Sequence, residues 1–139
     1  MARQPHILWV EDSEDDVFFF ARAMYKSSRP LGCNHVWNGA QAIEYLSGYG
    51  EYCDRSEYPF PDIIITDLRM PGTDGWAFIR WLRSHPEFRR IPIFVLSSIS
   101  GDAAVTPEAG HLQFFLKSPG ELMWDSLYAE LIAFCRAAV

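Results

Sequence analysis

The hydrophobic residues of the chain fall into short unbroken runs that end in polar or turn residues. The runs are ILWV (7–10), IIIT (63–66), IFVL (93–96) and QFFL (113–116), with a weaker candidate at CNHVW (33–37). Continuous rather than alternating hydrophobicity is typical of strands covered on both faces, as in a parallel sheet. Five buried strands are therefore expected.

The segments between these runs carry a helical pattern. Apolar residues at the spacing i, i+3, i+4, i+7 indicate two longer helices, through Val17, Phe20, Ala21 and Met24 and through Trp124, Leu127, Tyr128 and Leu131. Shorter helices are indicated by Ile43 with Leu46 and by Phe78, Ile79 and Leu82. The N-cap candidates are Ser13, which precedes Asp16 in an S-x-x-D pattern, then Asn38, and then Thr73 or Asp74.

Strands that alternate with helices predict a three-layer, doubly wound α/β fold of the flavodoxin-like type. We expect one domain over residues 1–139, with a five-stranded parallel sheet of order 2-1-3-4-5 and helices on both faces. The segment 47–61 lacks a helical period, so it is expected to be either a functional loop or a tolerated insertion. Pro107 interrupts the helix that the topology requires between residues 98 and 112.

Charge and composition exclude several classes of function. The formal net charge is −6 and the longest basic run is Arg89-Arg90, so a nucleic-acid partner is not expected. No apolar run is long enough to span a bilayer or serve as a secretory signal, which favours a cytoplasmic protein without a membrane partner. Cys33, Cys53 and Cys135 have no metal-site spacing and are expected to be reduced thiols.

Acidic residues follow two of the predicted strands. Glu11 and Asp12 come directly after ILWV, and Asp67 comes directly after IIIT. Because the carboxyl ends of parallel strands converge at one edge of the sheet, these side chains are expected to share a crevice. Close carboxylates repel each other by about 4 kcal/mol per pair at an effective dielectric constant near 20, which a divalent cation relieves. Oxygen ligands favour Mg²⁺ or Mn²⁺ over Zn²⁺.

Two further strand ends add polar groups at this edge. Ser97 follows IFVL and Lys117 follows QFFL. A hydroxyl and an ammonium beside an aspartate supply what the oxygens of a transferred phosphoryl group require. Asp15 and Asp16, in contrast, are expected to stabilise the start of the first helix through their charge.

The segments WVEDSEDD, IIITDLRMPGTDGW, IPIFVLSS and FFLK, in this order, resemble the receiver domain of two-component response regulators over nearly the whole chain. Among receivers the chain is most similar to small stand-alone members of the phytochrome-associated type, which share a long loop before the third strand and a segment like HPEFRRIP.

The resemblance implies a role for each matching residue. Asp67 would be the phosphoacceptor, and Mg²⁺ would bind to Asp12, Asp67 and the backbone carbonyl of Arg69, with Glu11 acting mainly through water. Lys117 would pair with Asp67 or its phosphate. Ser97 would bond to the phosphate and move inward, with Phe114 as the switch aromatic. Ser98 would leave the phosphoacceptor accessible.

The chain departs from the family pattern at two places. Lys117-Ser118-Pro119 replaces the usual Lys-Pro, which could displace the ammonium, and the stretch from Ser97 to Phe114 is shorter than usual, which puts output through that helix in doubt.

The expected function is phosphorelay signalling without an enzyme activity on other substrates. A sensor histidine kinase or a histidine phosphotransfer protein would donate the phosphoryl group. Only 22 residues follow Lys117, so we expect no separate effector domain and output by docking to a downstream protein, with homodimer formation left open. Phe18 and Phe19 cannot both face the core, so either is a candidate kinase contact, although packing is the simpler interpretation.

Two alternatives remain at this point. One is a receiver-like interaction module that works without phosphorylation, which the Lys-Ser-Pro sequence keeps open. The other is a Mg²⁺-dependent phosphohydrolase with an aspartyl phosphate intermediate. Arg69 stands where such a hydrolase would carry a second acid, which disfavours it.

Overall fold

The computed structural model of the chain describes residues 4–27, 31–68, 75–97, 112–118, 120 and 122–137. These residues form the strands β1 (His6–Val10), β2 (Gly32–Val36), β3 (Ile63–Asp67), β4 (Ile93–Ser97) and β5 (Leu112–Leu116). They also form the helices α1 (Glu14–Lys26), α2 (Gly39–Ser47), α3 (Gly75–Arg83) and α4 (Leu122–Ala137), with a short 3-10 helix at Gly50–Cys53. All five predicted strands are confirmed, whereas the interrupted helix around Pro107 lies outside the described residues.

The strands form one sheet in the order β2-β1-β3-β4-β5, and each neighbouring pair is parallel. The predicted doubly wound topology is therefore confirmed. In the register, Val10 pairs with both Val36 and Thr66, Asp67 pairs with Leu96, and Ser97 pairs with Leu116. The carboxyl ends of the strands thus lie along a single edge, as the sequence predicted.

Each face of the sheet has its own core. Helices α1 and α4 pack on one face, where Trp9, Phe20 and Leu127 are buried. Helices α2 and α3 cover the other face, where Tyr45 and Phe78 are buried. Burial of each such side chain stabilises the fold by roughly 1.5–3 kcal/mol. The sheet therefore lies between two apolar layers that both stabilise it. One expected core position is wrong, because Ala21 is exposed while Ala23 is buried.

Two of the predicted caps are present. The Ser13 side chain accepts a hydrogen bond from the Asp16 N–H at 3.3 Å, and Asn38 Oδ1 accepts one from the Gln41 N–H at 2.8 Å. These bonds fix where α1 and α2 begin. Thr73 and Asp74, the candidates for α3, lie outside the described residues.

The segment 47–61 is more regular than its sequence indicated. Besides the 3-10 helix, it contains Arg55, whose guanidinium donates to the carbonyl oxygens of Tyr45 (2.8 Å), Leu46 (2.9 Å) and Tyr58 (3.2 Å). Arg55 thereby supplies donors to carbonyls in the last turn of α2, where backbone N–H donors from the helix run out. The loop is held against α2, and only Gly50–Cys53 within it forms a regular element; whether it is a functional loop or a tolerated insertion stays open.

None of the helices in the described ranges combines the length and the apolar character needed to cross a membrane. The three cysteines, Cys33, Cys53 and Cys135, are free thiols.

Candidate functional site

Three carboxylates meet at the edge of the sheet where β1 and β3 end. Glu11 and Asp12 directly follow β1, and Asp67 is the last residue of β3, its neighbour in the sheet. One oxygen atom from each residue lies within 4.8 Å of the others. Glu11 and Asp67 are buried, whereas Asp12 is exposed to solvent. The structure therefore brings together residues that are 55 positions apart in the sequence.

Lys117 brings a positive charge to this cluster from the segment that follows β5. Its backbone N–H donates to the Ser97 carbonyl at 2.7 Å, which anchors the residue beside the end of β4. Its Nζ lies 2.6 Å from Asp67 Oδ2, 2.8 Å from Asp16 Oδ2 and 3.5 Å from Glu11 Oε1. The ammonium is thus in direct contact with the candidate phosphoacceptor, although Ser118 follows it where a proline is usual.

Burial and neighbouring charges shift the ionisation of both residues. Burial raises the pKa of Glu11 to about 8, with Asp67 and Asp16 adding repulsion and the Lys117 charge acting in the opposite direction. Burial lowers the pKa of Lys117, but hydrogen bonds to Asp16 and Asp67 outweigh it and raise that pKa overall. Lys117 is therefore a permanent cation at neutral pH, and Glu11 holds a proton more tightly than an exposed glutamate.

The donor atoms fit a hard divalent cation. Three carboxylate oxygens within 4.8 Å of one another offer oxygen ligands only, and the exposed Asp12 leaves room for water in the coordination shell. A cation would also offset the repulsion from Asp67 and Asp16, which adds to the effect of burial in raising the pKa of Glu11. Arg69, whose carbonyl the sequence suggested as a further ligand, lies outside the described residues.

His35 on β2 contacts the main chain of Glu11, one of the three carboxylate residues, and the sequence interpretation missed this residue. Its Nε2 lies 2.7 Å from the backbone oxygen of Glu11, and because a carbonyl only accepts, this nitrogen carries the hydrogen. Trp9 and Trp37 contact the imidazole ring edge-on, with centroids 5.5 and 4.4 Å away. The imidazole therefore fixes the main chain between Glu11 and Asp12. The only sequence signal was a histidine in the middle of the weakest predicted strand, 33–37.

The two predicted switch residues lie on neighbouring strands. Ser97 is buried as the last residue of β4. Phe114 on β5 is partly buried on the face covered by α2 and α3, with its ring 6.2 Å from that of Trp76. This position is compatible with ordinary packing and with a switch, so the switch role stays a prediction. Ser98 and Pro119 lie outside the described residues.

The two phenylalanines near the start of α1 differ in environment. Phe18 is 60% exposed, and Phe19 packs partly against the core beside α4, with the two rings 5.5 Å apart. Phe18 is therefore the one available to a partner.

Comparisons with known proteins agree with this geometry. Residues 7–123 match the family model described as the response regulator receiver domain. The response regulator Rcp1 of Synechocystis sp. is 30% identical over 92 residues, which cover 66% of this chain and 60% of Rcp1. The chain thus spans less than two thirds of that relative.

Solved structures of response regulators are also similar to this chain. The phosphorylated cyanobacterial phytochrome response regulator RcpA superimposes with a TM-score of 0.84 at 26% identity, over 99% of this chain and 97% of RcpA. The Mn²⁺-bound form of Rcp1 gives a TM-score of 0.75 at 26% identity, over 88% of this chain and 91% of that structure. The expected similarity to phytochrome-associated regulators is confirmed.

Proposed function

The chain belongs to the family of response regulator receiver domains, whose function is phosphorylation-based signalling, and from this premise we propose that Asp67 is its phosphoacceptor and that the reaction depends on Mg²⁺. One observation carries the proposal. The Asp67 carboxylate lies 2.6 Å from the Lys117 ammonium and also belongs to a group of three carboxylates within 4.8 Å of one another. This arrangement supports phosphoryl transfer better than either of the two alternatives.

The chemical step is an in-line displacement. An oxygen of Asp67 forms a bond to the phosphorus of a phosphohistidine while the phosphorus–nitrogen bond breaks, and the ring, which carries a proton on its other nitrogen, leaves as neutral imidazole with the electron pair. Lys117 donates to one phosphoryl oxygen and keeps its proton throughout, since its raised pKa holds it charged. The Ser97 hydroxyl donates to another oxygen.

Glu11, Asp12 and Asp67, with the Arg69 carbonyl, would hold the cation. Bound Mg²⁺, or Mn²⁺ in its place, supplies positive charge that offsets the repulsion between Asp67 and the incoming phosphoryl group. Within this set the exposed Asp12 faces solvent, which leaves an approach for the donor.

Phosphorylation adds roughly −1.5 to −2 charges next to Ser97 and Lys117, and their new contacts bias the sheet edge, including Phe114, towards a second arrangement. A sensor histidine kinase or histidine phosphotransfer protein in the cytoplasm is the proposed donor, and Phe18 a proposed contact with it. Output occurs by docking to a downstream protein, with homodimer formation as one form of docking.

The test is incubation of the protein with acetyl phosphate and Mg²⁺, followed by intact-mass measurement. One phosphoryl group is expected on the wild type and none on Asp67→Ala, while Asp15→Ala, an exposed charge outside the cluster, should behave as the wild type. EDTA should prevent the modification. Absence of any modification would favour the interaction module, and multiple turnover of a phosphorylated substrate would favour the phosphohydrolase.

A further inference from the structure

Asp16 makes a contact that its position at the start of α1 does not explain. The residue lies in the first turn, where its backbone N–H is bound by Ser13. Its carboxylate does not complete a capping box, because the Ser13 N–H donates to Glu11 Oε2 at 3.3 Å. Instead, Asp16 Oδ2 lies 2.8 Å from Lys117 Nζ, across 101 residues of sequence.

Asp16 also differs from the other two carboxylates that contact Lys117. Glu11 and Asp67 both belong to the group that fits a cation, and Asp16 does not. In the proposed reaction, Glu11 and Asp67 would each give an oxygen to a cation and one oxygen of Asp67 would bond to phosphorus, so the contacts of both residues with the ammonium would change. Asp16, fixed on a capped helix, is the partner that remains.

We propose that Asp16 is a positioning residue for phosphoryl transfer, which holds the Lys117 ammonium beside Asp67 while the other partners of that ammonium change. The proposal rests on the proposed function of Asp67. Lys117 has a long flexible side chain on a segment after the edge strand β5, so a second charged hydrogen bond restricts it to the geometry that the reaction requires. Asp16 reaches the substrate only through Lys117.

The first experiment compares Asp16→Ala with Asp15→Ala, which removes the same charge from the same helical turn at an exposed position. With acetyl phosphate at saturating Mg²⁺, Asp16→Ala should slow phosphorylation about tenfold, the equivalent of one charged hydrogen bond. Asp15→Ala should stay within about twofold of the wild type, as exposed substitutions generally do. If Asp16 acted only through its negative charge, its removal would speed phosphorylation, because acetyl phosphate is an anion. A faster or unchanged phosphorylation rate in Asp16→Ala would therefore overturn the proposal.

The second experiment tests whether the effect passes through Lys117. Adding Asp16→Ala to Lys117→Ala should change the residual rate by less than about twofold, since no ammonium remains to be held. A full tenfold loss in that background would assign Asp16 another role and overturn the inference. The Mg²⁺ dissociation constant from calorimetry should change little in Asp16→Ala. A large change would show that the substitution disturbs the cluster of Glu11, Asp12 and Asp67 itself.

Circular dichroism tests whether each variant folds, and Asp16→Leu, which is similar in size but has no oxygen to accept from Lys117, replaces Asp16→Ala if the latter does not fold. If the wild type and Asp15→Ala are not phosphorylated, the proposed function itself fails. If both are phosphorylated and the Asp16 variants match them, only the positioning role fails.

Discussion

Gly75, the first residue of α3, lies directly against the main chain of Asp67. A β-carbon built on Gly75 would overlap the carbonyl oxygen of Asp67 and lie 2.5 Å from the α-carbon of Leu68. The Gly75 N–H also donates to the Leu68 carbonyl at 3.0 Å, so the chain returns after residues 69–74 to the point from which it left β3. A side chain at position 75 would have to displace the backbone that carries the phosphoacceptor.

Gly75→Ala is therefore expected to lower the free energy of unfolding by about 1–3 kcal/mol, as overpacking does, and to slow phosphorylation of Asp67. Urea denaturation and the acetyl phosphate reaction measure the two effects. Gly50→Ala is the control, because Gly50 has φ +57° but open space around it. It should cost about 1–2 kcal/mol without slowing phosphorylation; equal rates in both variants would contradict the role of the close contact.

Glu11 should make the metal-free protein less stable as the pH rises. Burial raises its pKa in the folded protein from 4.5 to about 8, so between these values the folded state holds a proton that the unfolded state has released. Stability from this group is full below pH 4.5 and is lost as the pH rises towards 8, with a slope of at most about 1.4 kcal/mol per pH unit.

Urea denaturation in EDTA between pH 5 and 9 measures this dependence as the difference between the wild type and Glu11→Gln. Comparison of the two proteins is needed because burial also lowers the pKa of His35, and this makes the folded state more stable as the pH rises. The His35 effect is the same in both proteins and cancels in the difference between them. Parallel pH profiles for the two proteins would show that Glu11 is not the source.

Arg55 should stabilise the fold without affecting the site. Arg55→Ala leaves the carbonyls of Tyr45 and Leu46 without this donor and should cost about 1–3 kcal/mol. Limited proteolysis should then cut within residues 48–60, while phosphorylation stays unchanged. Arg90→Ala, at an exposed position, is the matched control. Resistance of Arg55→Ala to protease would indicate that the ring contacts among Tyr45, Tyr52 and Tyr58, with centroids 5.1–5.9 Å apart, hold the segment without Arg55.

Strand and cap positions could be predicted from the sequence because their causes are local. The run at 63–66 is almost wholly apolar, and Ser13 and Asn38 each bind a backbone N–H only three residues further along the chain. The acidic cluster could be predicted because parallel strands bring their ends together whatever the intervening sequence. Local hydrophobic and capping patterns account for the strands and helices, and the convergence of parallel strand ends accounts for the meeting of Glu11, Asp12 and Asp67.

What the sequence did not reveal depends on side chains that reach distant backbone or charges. Asp16 fits a helix start, so nothing local indicated its contact with Lys117. Arg55 lies in a segment without a helical period, and its three carbonyl partners become apparent only once α2 and the loop are folded together. His35 bonds to a main-chain oxygen, an interaction that leaves no residue pattern.

The three thiols should differ sharply in reactivity. Cys53 is exposed, whereas burial raises the pKa of Cys33 to about 12 and also raises that of the buried Cys135. Because the thiolate is the reactive form, native protein at pH 8 should react quickly with Ellman's reagent at one thiol, and Cys53→Ser should abolish that phase. All three should react in denaturant. A second fast thiol in the native wild type would contradict either the raised pKa of the half-buried Cys33 or the burial of Cys135.

The fluorescence of Trp37 can report on the acidic cluster. Its indole is 42% exposed and lies 4.4 Å from the His35 imidazole, which in turn binds the Glu11 main chain at 2.7 Å. A shift of the Glu11 main chain would therefore be passed to the Trp37 indole through one hydrogen bond and one ring contact. Occupancy of the site can therefore be followed by intrinsic tryptophan emission without a label, and the contribution of Trp37 is the difference from Trp37→Phe, which keeps the other four tryptophans.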